Sequence, residues 1–112
     1  MALTIWHNPR CSKSRQTLAL IEAHAPTIRL YLTDAPSEAE LRAAAKALGV
    51  KPIDMMRTGE AEFKDQGLNK ASPDDALFAA MAQTPKLIER PIVFAGDKAA
   101  IGRPPEAVLS LL

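Results

Sequence analysis

Chemistry in this 112-residue chain centres on one thiol. Cys11 is the only cysteine, and it stands in the run His7-Asn8-Pro9-Arg10-Cys11-Ser12-Lys13-Ser14-Arg15. An apolar stretch, Leu3-Thr4-Ile5-Trp6, precedes the run and reads as a strand; Gln16-Thr17-Leu18-Ala19-Leu20-Ile21-Glu22-Ala23 follows and reads as a helix. A thiol on a strand-to-helix turn faces the positive end of the helix dipole and its free backbone N–H groups. With Arg10, Lys13 and Arg15 close by in sequence, such a position favours the nucleophilic thiolate. The same groups favour a bound oxyanion. His7 is a candidate base or a contributor to the local field. The competing reading is that Cys11 is a small buried hydrophobe, a common fate of a lone cysteine.

Spacing narrows the thiol chemistry. A dithiol switch needs Cys-x-x-Cys, and the fourth position is Ser14. A phosphatase-type loop needs an arginine where Thr17 stands. The residues alone therefore leave two possibilities: a single-thiol enzyme that borrows its second thiol from another molecule, or a binding protein with an inert cysteine. One cysteine also excludes an internal disulfide framework and a cysteine-rich zinc site, and fits a reducing compartment such as the cytoplasm.

The positioning elements follow from the pattern. After the first helix, His24-Ala25-Pro26 breaks the chain, and Ile28-Arg29-Leu30-Tyr31-Leu32 reads as a second strand, parallel to the first because a helix connects them. Ser37-Glu38-Ala39-Glu40 is a capping box opening a helix with apolar residues at Leu41, Ala44, Ala45 and Leu48, closed by Gly49. A short helix over Lys51–Arg57, a loop with one helical turn near Glu62–Gln66, and a helix from Ser72-Pro73, with proline at its first helical position, to about Gln83 complete a helical block over roughly 37–89. Arg90-Pro91-Ile92-Val93-Phe94-Ala95 is an apolar strand. Gly96-Asp97 turns it back onto Lys98–Gly102, an antiparallel hairpin, and a last helix opens at Arg103-Pro104-Pro105-Glu106.

The order β-α-β, helical block, β-β-α describes an α/β chain of thioredoxin/glutaredoxin-like fold. It predicts a four-stranded mixed sheet and a single domain over 1–112, with the block inserted between the βαβ and ββα halves. Length fits one modest core. In that fold the residue opening the third strand lies beside the first helix's N-terminus and is usually a cis proline, so Arg90–Pro91 is expected to be cis. The same arrangement lets Arg57, Arg90 and Arg103 approach Cys11, although Arg10 and Arg15 are nearer in sequence. Guanidinium groups stay charged and offer forked donors that match tetrahedral oxyanions.

Composition excludes other classes. Net charge is +1 and aromatics are 4%, which argues against nucleic-acid recruitment or base stacking. No apolar run approaches a membrane span, and the N-terminus lacks the pattern of a signal peptide.

Taken together, these motifs resemble those of the glutaredoxin-linked ArsC arsenate reductases. The segment from His7 to Arg15 is similar to their active-site segment, with Trp6 where tyrosine is common. Tyr31-Leu32 is similar to their second strand and Met55-Met56-Arg57 to the end of their insertion helix. Arg90-Pro91-Ile92-Val93 and Gly102-Arg103-Pro104 are similar to their two arginine-proline motifs. The resemblance implies Cys11 as the nucleophile on arsenate, with Arg57, Arg90 and Arg103 holding the oxyanion. It implies supporting roles for His7, Asn8, Ser12, Ser14, Arg15 and Pro91, with His7 tuning the thiolate. It further implies glutathione as co-substrate, glutaredoxin as partner, no bound cofactor or metal, and a monomer. The alternative within this superfamily is a non-catalytic Spx-like interaction protein, or a reductase of another oxyanion or thiol substrate. Typical Spx-like members carry the Cys-x-x-Cys that Ser14 removes here.

Overall fold

The apolar run ahead of Cys11 is a strand, β1 (Leu3–Trp6), and the segment after it is a ten-residue helix, α1 (Ser12–Ile21). The computed structural model describes residues 2–112, which gather into two compact units. The first comprises the chain up to Asp34 together with Arg90–Leu112. It contains β1, α1, β2 (Thr27–Arg29), β3 (Ile92–Ala95), β4 (Lys98–Ile101) and a closing 3-10 helix, Pro105–Leu111.

The strands form one mixed sheet in the order β2-β1-β3-β4. β1 pairs parallel with β2 and antiparallel with β3, which pairs antiparallel with β4. This is the expected sheet. Gly96 opens the β3–β4 turn at φ 63°, a conformation glycine adopts without steric cost. Strand alternation sends Leu3 and Ile5 of β1 and Val93 and Ala95 of β3 to one face. There they pack with Ile21 of α1 and with Val108 and Leu111, and Leu18 and Ala100 lie against the cluster. On β1, Trp6 meets the Phe94 ring at 4.8 Å in a tilted arrangement, and the Arg29 guanidinium lies 5.8 Å from the Trp6 ring. The buried stripe of α1 is Ser14, Thr17 and Ile21, so the turns nearest Cys11 bury polar side chains and the far turn an apolar one.

The second unit, Ala35–Glu89, is helical. α2 (Glu38–Leu48) opens on the expected capping box: Ser37 Oγ accepts the Glu40 N–H at 3.1 Å, and Glu40 Oε1 accepts the Ser37 N–H at 3.0 Å. It ends at Gly49, φ 70°. A 3-10 turn (Pro52–Met55), α3 (Ala61–Asp65), α4 (Asp74–Gln83) and a second 3-10 turn (Pro85–Leu87) follow. Leu41, Ala44 and Ala45 of α2 are buried, as are Leu77, Phe78, Ala80 and Met81 of α4, with Met55, Phe63 and Leu87. Met56 and Ile88 make an isolated antiparallel bridge, flanked by Arg57 N–H to Leu87 O at 2.7 Å and Glu89 N–H to Met55 O at 2.8 Å.

Four details depart from the expectation. β2 stops at Arg29 instead of running to Leu32, because the Leu30 carbonyl accepts the Thr33 and Asp34 N–H groups in a tight turn. The helix after Lys51 is 3-10 and ends at Met55, with Met56 extended, leaving Arg57 beyond it. Pro73 is the cap of α4 and not its first helical residue. The closing helix is 3-10, with three-residue-span bonds such as Ala107 N–H to Pro104 O. No helix among the described residues is long and apolar enough to cross a membrane.

Candidate active site

Cys11 is the N-cap residue of α1, with extended backbone (φ −95°, ψ 122°), and its side chain does not cap the helix. The loop before it is fastened by one residue. Asn8 accepts the Arg10 N–H on Oδ1 at 3.0 Å and the Cys11 N–H on its carbonyl at 3.0 Å, and gives its own N–H to Ser14 Oγ at 3.0 Å. An asparagine that bonds the backbone two residues on is a common way to hold a turn. Arg15 Nη1 donates to the Pro9 carbonyl at 2.9 Å and ties α1 back to the same loop. Ser12 opens α1 and is exposed, as is Arg10.

His7 and Ser14 are both buried, at 6% and 0% exposure, and His7 Nδ1 lies 2.7 Å from Ser14 Oγ. Among the described residues, the hydroxyl has only two partners: the Asn8 N–H, which it accepts, and His7 Nδ1. Its single proton is satisfied only by donation to Nδ1, which leaves the neutral imidazole with its proton on Nε2. Burial pushes the His7 pKa below its ordinary value of 6.5, and the Arg15 charge lowers it further, which favours the neutral ring. His7 therefore meets the loop through Ser14.

The other arm of the unit supplies a cation. Both Arg90–Pro91, as expected, and Arg103–Pro104 are cis. Pro91 is buried, and its carbonyl accepts the Gly102 N–H at 2.9 Å. Arg103 Nε donates to the Arg90 carbonyl at 2.9 Å, and Arg103 Nη2 points at Cys11 Sγ at 3.6 Å, a contact between residues 92 apart in sequence. A guanidinium N–H on sulfur is the donor that a thiolate, or an anion approaching it, accepts.

Arg57 belongs to the helical unit. Its Nη2 is 2.6 Å from Glu60 Oε1. Glu60 also meets Lys86 at 3.5 Å, and Lys86 meets Glu62 at 3.2 Å, so the four charges alternate. The Glu62 carboxyl lies below its ordinary range, lowered by a backbone hydrogen bond first and by Lys86 second. Sequence reasoning did not single out Glu60, nor the contact of Thr17 with the turn before Arg103. The signal for Glu60 was its three-residue spacing from Arg57; Thr17 had none, because its neighbours come from the far end of the chain.

The profile of the ArsC family matches residues 6–111. The chain belongs to the ArsC family. An arsenate reductase of Haemophilus influenzae is 49% identical to it over the full length of both chains. That of Neisseria meningitidis serogroup A is 43% identical, covering 98% of this chain and 97% of the relative. Among solved structures, an arsenate reductase from Vibrio cholerae superimposes with TM-score 0.94 at 49% identity, covering 100% of this chain and 98% of that one. These likenesses agree with the thioredoxin-like fold of this ArsC-family chain and with an oxidoreductase.

Proposed function

We propose that the chain reduces arsenate to arsenite, with Cys11 as nucleophile, glutathione as co-substrate and glutaredoxin as the second reductant. The observation that carries this reading is the Arg103 guanidinium on Cys11 Sγ at 3.6 Å: a fixed cation at the only thiol. The relatives named arsenate reductase supply the substrate.

The reaction balances as follows. The Cys11 thiolate attacks arsenic, an S–As bond forms, and an arsenic oxygen leaves as water. Glutathione replaces a second oxygen in the same way. The glutaredoxin thiolate then attacks the glutathione sulfur. A disulfide forms, the electron pair of that As–S bond stays on arsenic, and As(V) becomes As(III). Water hydrolyses the Cys11–As bond, arsenite leaves and the thiol is restored. The net change is two thiols to one disulfide and one oxygen to water. With Ser14 in place of a second cysteine, the resolving thiols come from outside the chain.

In this reading Arg103 and Arg90 neutralise the arsenate oxygens as the thiolate approaches, and preorganised donors of this kind lower the barrier where charge develops. Arg90 enters on its Arg90-Pro91-Ile92-Val93 motif and Arg57 on its Met55-Met56-Arg57 motif. Asn8, Ser14 and His7 hold the loop, Arg15 braces it, Pro91 holds Gly102 beside Arg103, and Ser12 opens the helix that carries the nucleophile. The test is arsenate-dependent NADPH oxidation coupled through glutathione, glutaredoxin and glutathione reductase. Turnover that needs arsenate, glutathione and Cys11 together supports the reading; no turnover from folded protein overturns it in favour of an Spx-like interaction protein or a reductase of another oxyanion or thiol substrate.

A further inference from the structure

Three glycines, Gly49, Gly67 and Gly96, sit at positive φ with open space where a side chain would go. Gly102 is different. Its backbone is not left-handed, and it is buried; a Cβ there would collide with Thr17 Oγ1 and would come within 2.7 Å of Pro91 Cγ and 3.0 Å of Thr17 Cγ2. Glycine stands at this position for room, not for conformation.

Thr17 cannot easily yield that room. It is fully buried on α1, and its hydroxyl donates to the Lys13 carbonyl at 2.8 Å, which fixes its rotamer. On the other side Gly102 is held by its N–H on the Pro91 carbonyl at 2.9 Å. The next residue is Arg103, whose N–H meets Ile101 O at 2.9 Å, whose Nε meets Arg90 O, and whose Nη2 reaches Cys11 Sγ. One helix thus carries the thiol at its cap and, six residues on, the side chain against which the arginine-bearing turn rests.

We propose that Thr17 and Gly102 are a positioning pair: their close packing sets the height of the Arg103 turn over α1, and so places the guanidinium on the Cys11 sulfur. The pair acts through Arg103 and touches no reacting atom. Its role in arsenate reduction rests on the function proposed above, but the placement of charge at the thiol does not.

The deciding measurement is the alkylation rate of Cys11 by iodoacetate, an anion, divided by its rate with neutral iodoacetamide. A purely structural loss changes both rates together and leaves the ratio. Displacing a cation from the sulfur lowers the ratio. Arg103→Ala and Gly102→Ala are each expected to lower it about three- to tenfold, the scale of weakening one charge-assisted contact. Adding Thr17→Ala to Gly102→Ala, which opens space on the helix side, is expected to restore at least part of the ratio. Thr17→Ala alone removes the rest for the turn and is expected to lower the ratio by a smaller factor, which keeps the test available should Gly102→Ala not fold. A wild-type ratio in Arg103→Ala, in both Gly102→Ala and Thr17→Ala, or in Thr17→Ala where Gly102→Ala does not fold, overturns the proposal. If the ratios fall and recover as stated while the wild type turns over no arsenate, the positioning pair stands and the arsenate reading falls.

Discussion

Two arginines that match the same family pattern direct their guanidinium groups at different partners. Arg103, in the sheet-bearing unit, directs Nε at a backbone carbonyl and Nη2 at sulfur. Arg57, in the helical unit, directs Nη2 at a carboxylate 2.6 Å away, and Lys86 and Glu62 extend that pairing into an alternating chain. The difference runs through the sequence as well. No acidic residue precedes Glu22, whereas the helical unit interleaves acids and bases throughout. A motif match reports that a cation is present. Whether that cation acts as a net charge depends on what already neutralises it, and an anion arriving at Arg57 must compete with Glu60.

The contrast can be broken at several points, the strongest first. Cys11→Ser should reduce arsenate turnover in the coupled assay to background while leaving the circular dichroism spectrum unchanged; retained turnover would place the chemistry elsewhere. Arg103→Ala comes next. Charge-assisted bonds to an anion contribute about 1.5–3 kcal/mol each, so kcat/KM should fall about 10- to 100-fold. Arg103→Lys should recover part of this, keeping charge but losing the fork. Arg57→Ala should cost less than Arg103→Ala, since the Glu60 carboxylate at 2.6 Å already offsets the Arg57 charge. Equal losses would mean that the Glu60 pairing does not matter.

His7 gives a test by pH. Its folded pKa lies below 6.5 because of burial and Arg15, so the unfolded chain binds the proton more readily. The neutral His7–Ser14 bond therefore contributes stability above pH 6.5, and that contribution is lost as pH falls through the lowered folded value. Urea midpoints of the wild type should decline from pH 7 to pH 5, and His7→Asn, which cannot titrate, should flatten that part of the decline. An unchanged slope would detach His7 from the loop's stability. The smallest effect is expected at Arg42. It is half-exposed, pairs with Asp75 at 2.7 Å and lies 4.6 Å from the Phe78 ring. Arg42→Ala should cost about 1 kcal/mol or less in stability and leave kcat/KM unchanged. A tenfold loss of activity there would remove the distinction between site cations and surface ones.

Much of the fold was readable because local signals agreed with the tertiary outcome. The capping box at Ser37, the stop at Gly49 and the turn at Gly96 each involve residues within a few positions of one another. The end of β2 was not readable. Ile28, Leu30 and Leu32 alternate as a strand should, yet the turn bonds onto the Leu30 carbonyl and the Arg29–Asp34 pair at 3.3 Å end the strand early. Nor was the type of the closing helix, because seven residues are too few for apolar spacing to separate periods of 3.0 and 3.6. At the site, sequence exposed the residue types and the cysteine's cap position. It could not expose Ser14 bridging Asn8 and His7, Glu60 occupying Arg57, or Thr17 against Gly102, since each depends on side-chain geometry or on chain ends meeting.

Trp6 is the only tryptophan, and it is 5% exposed on β1, between the ring of Phe94 and the charge of Arg29. Its emission is consequently a reporter for the sheet-bearing unit alone. Far-ultraviolet ellipticity, in contrast, is weighted toward the helical unit, which holds α2, α3 and α4 against the single α1 of the other. Recording both signals through one denaturant titration assigns a separate spectroscopic channel to each unit without labels or truncation. Superimposable curves mark a single cooperative transition; emission that leads or trails the ellipticity marks two.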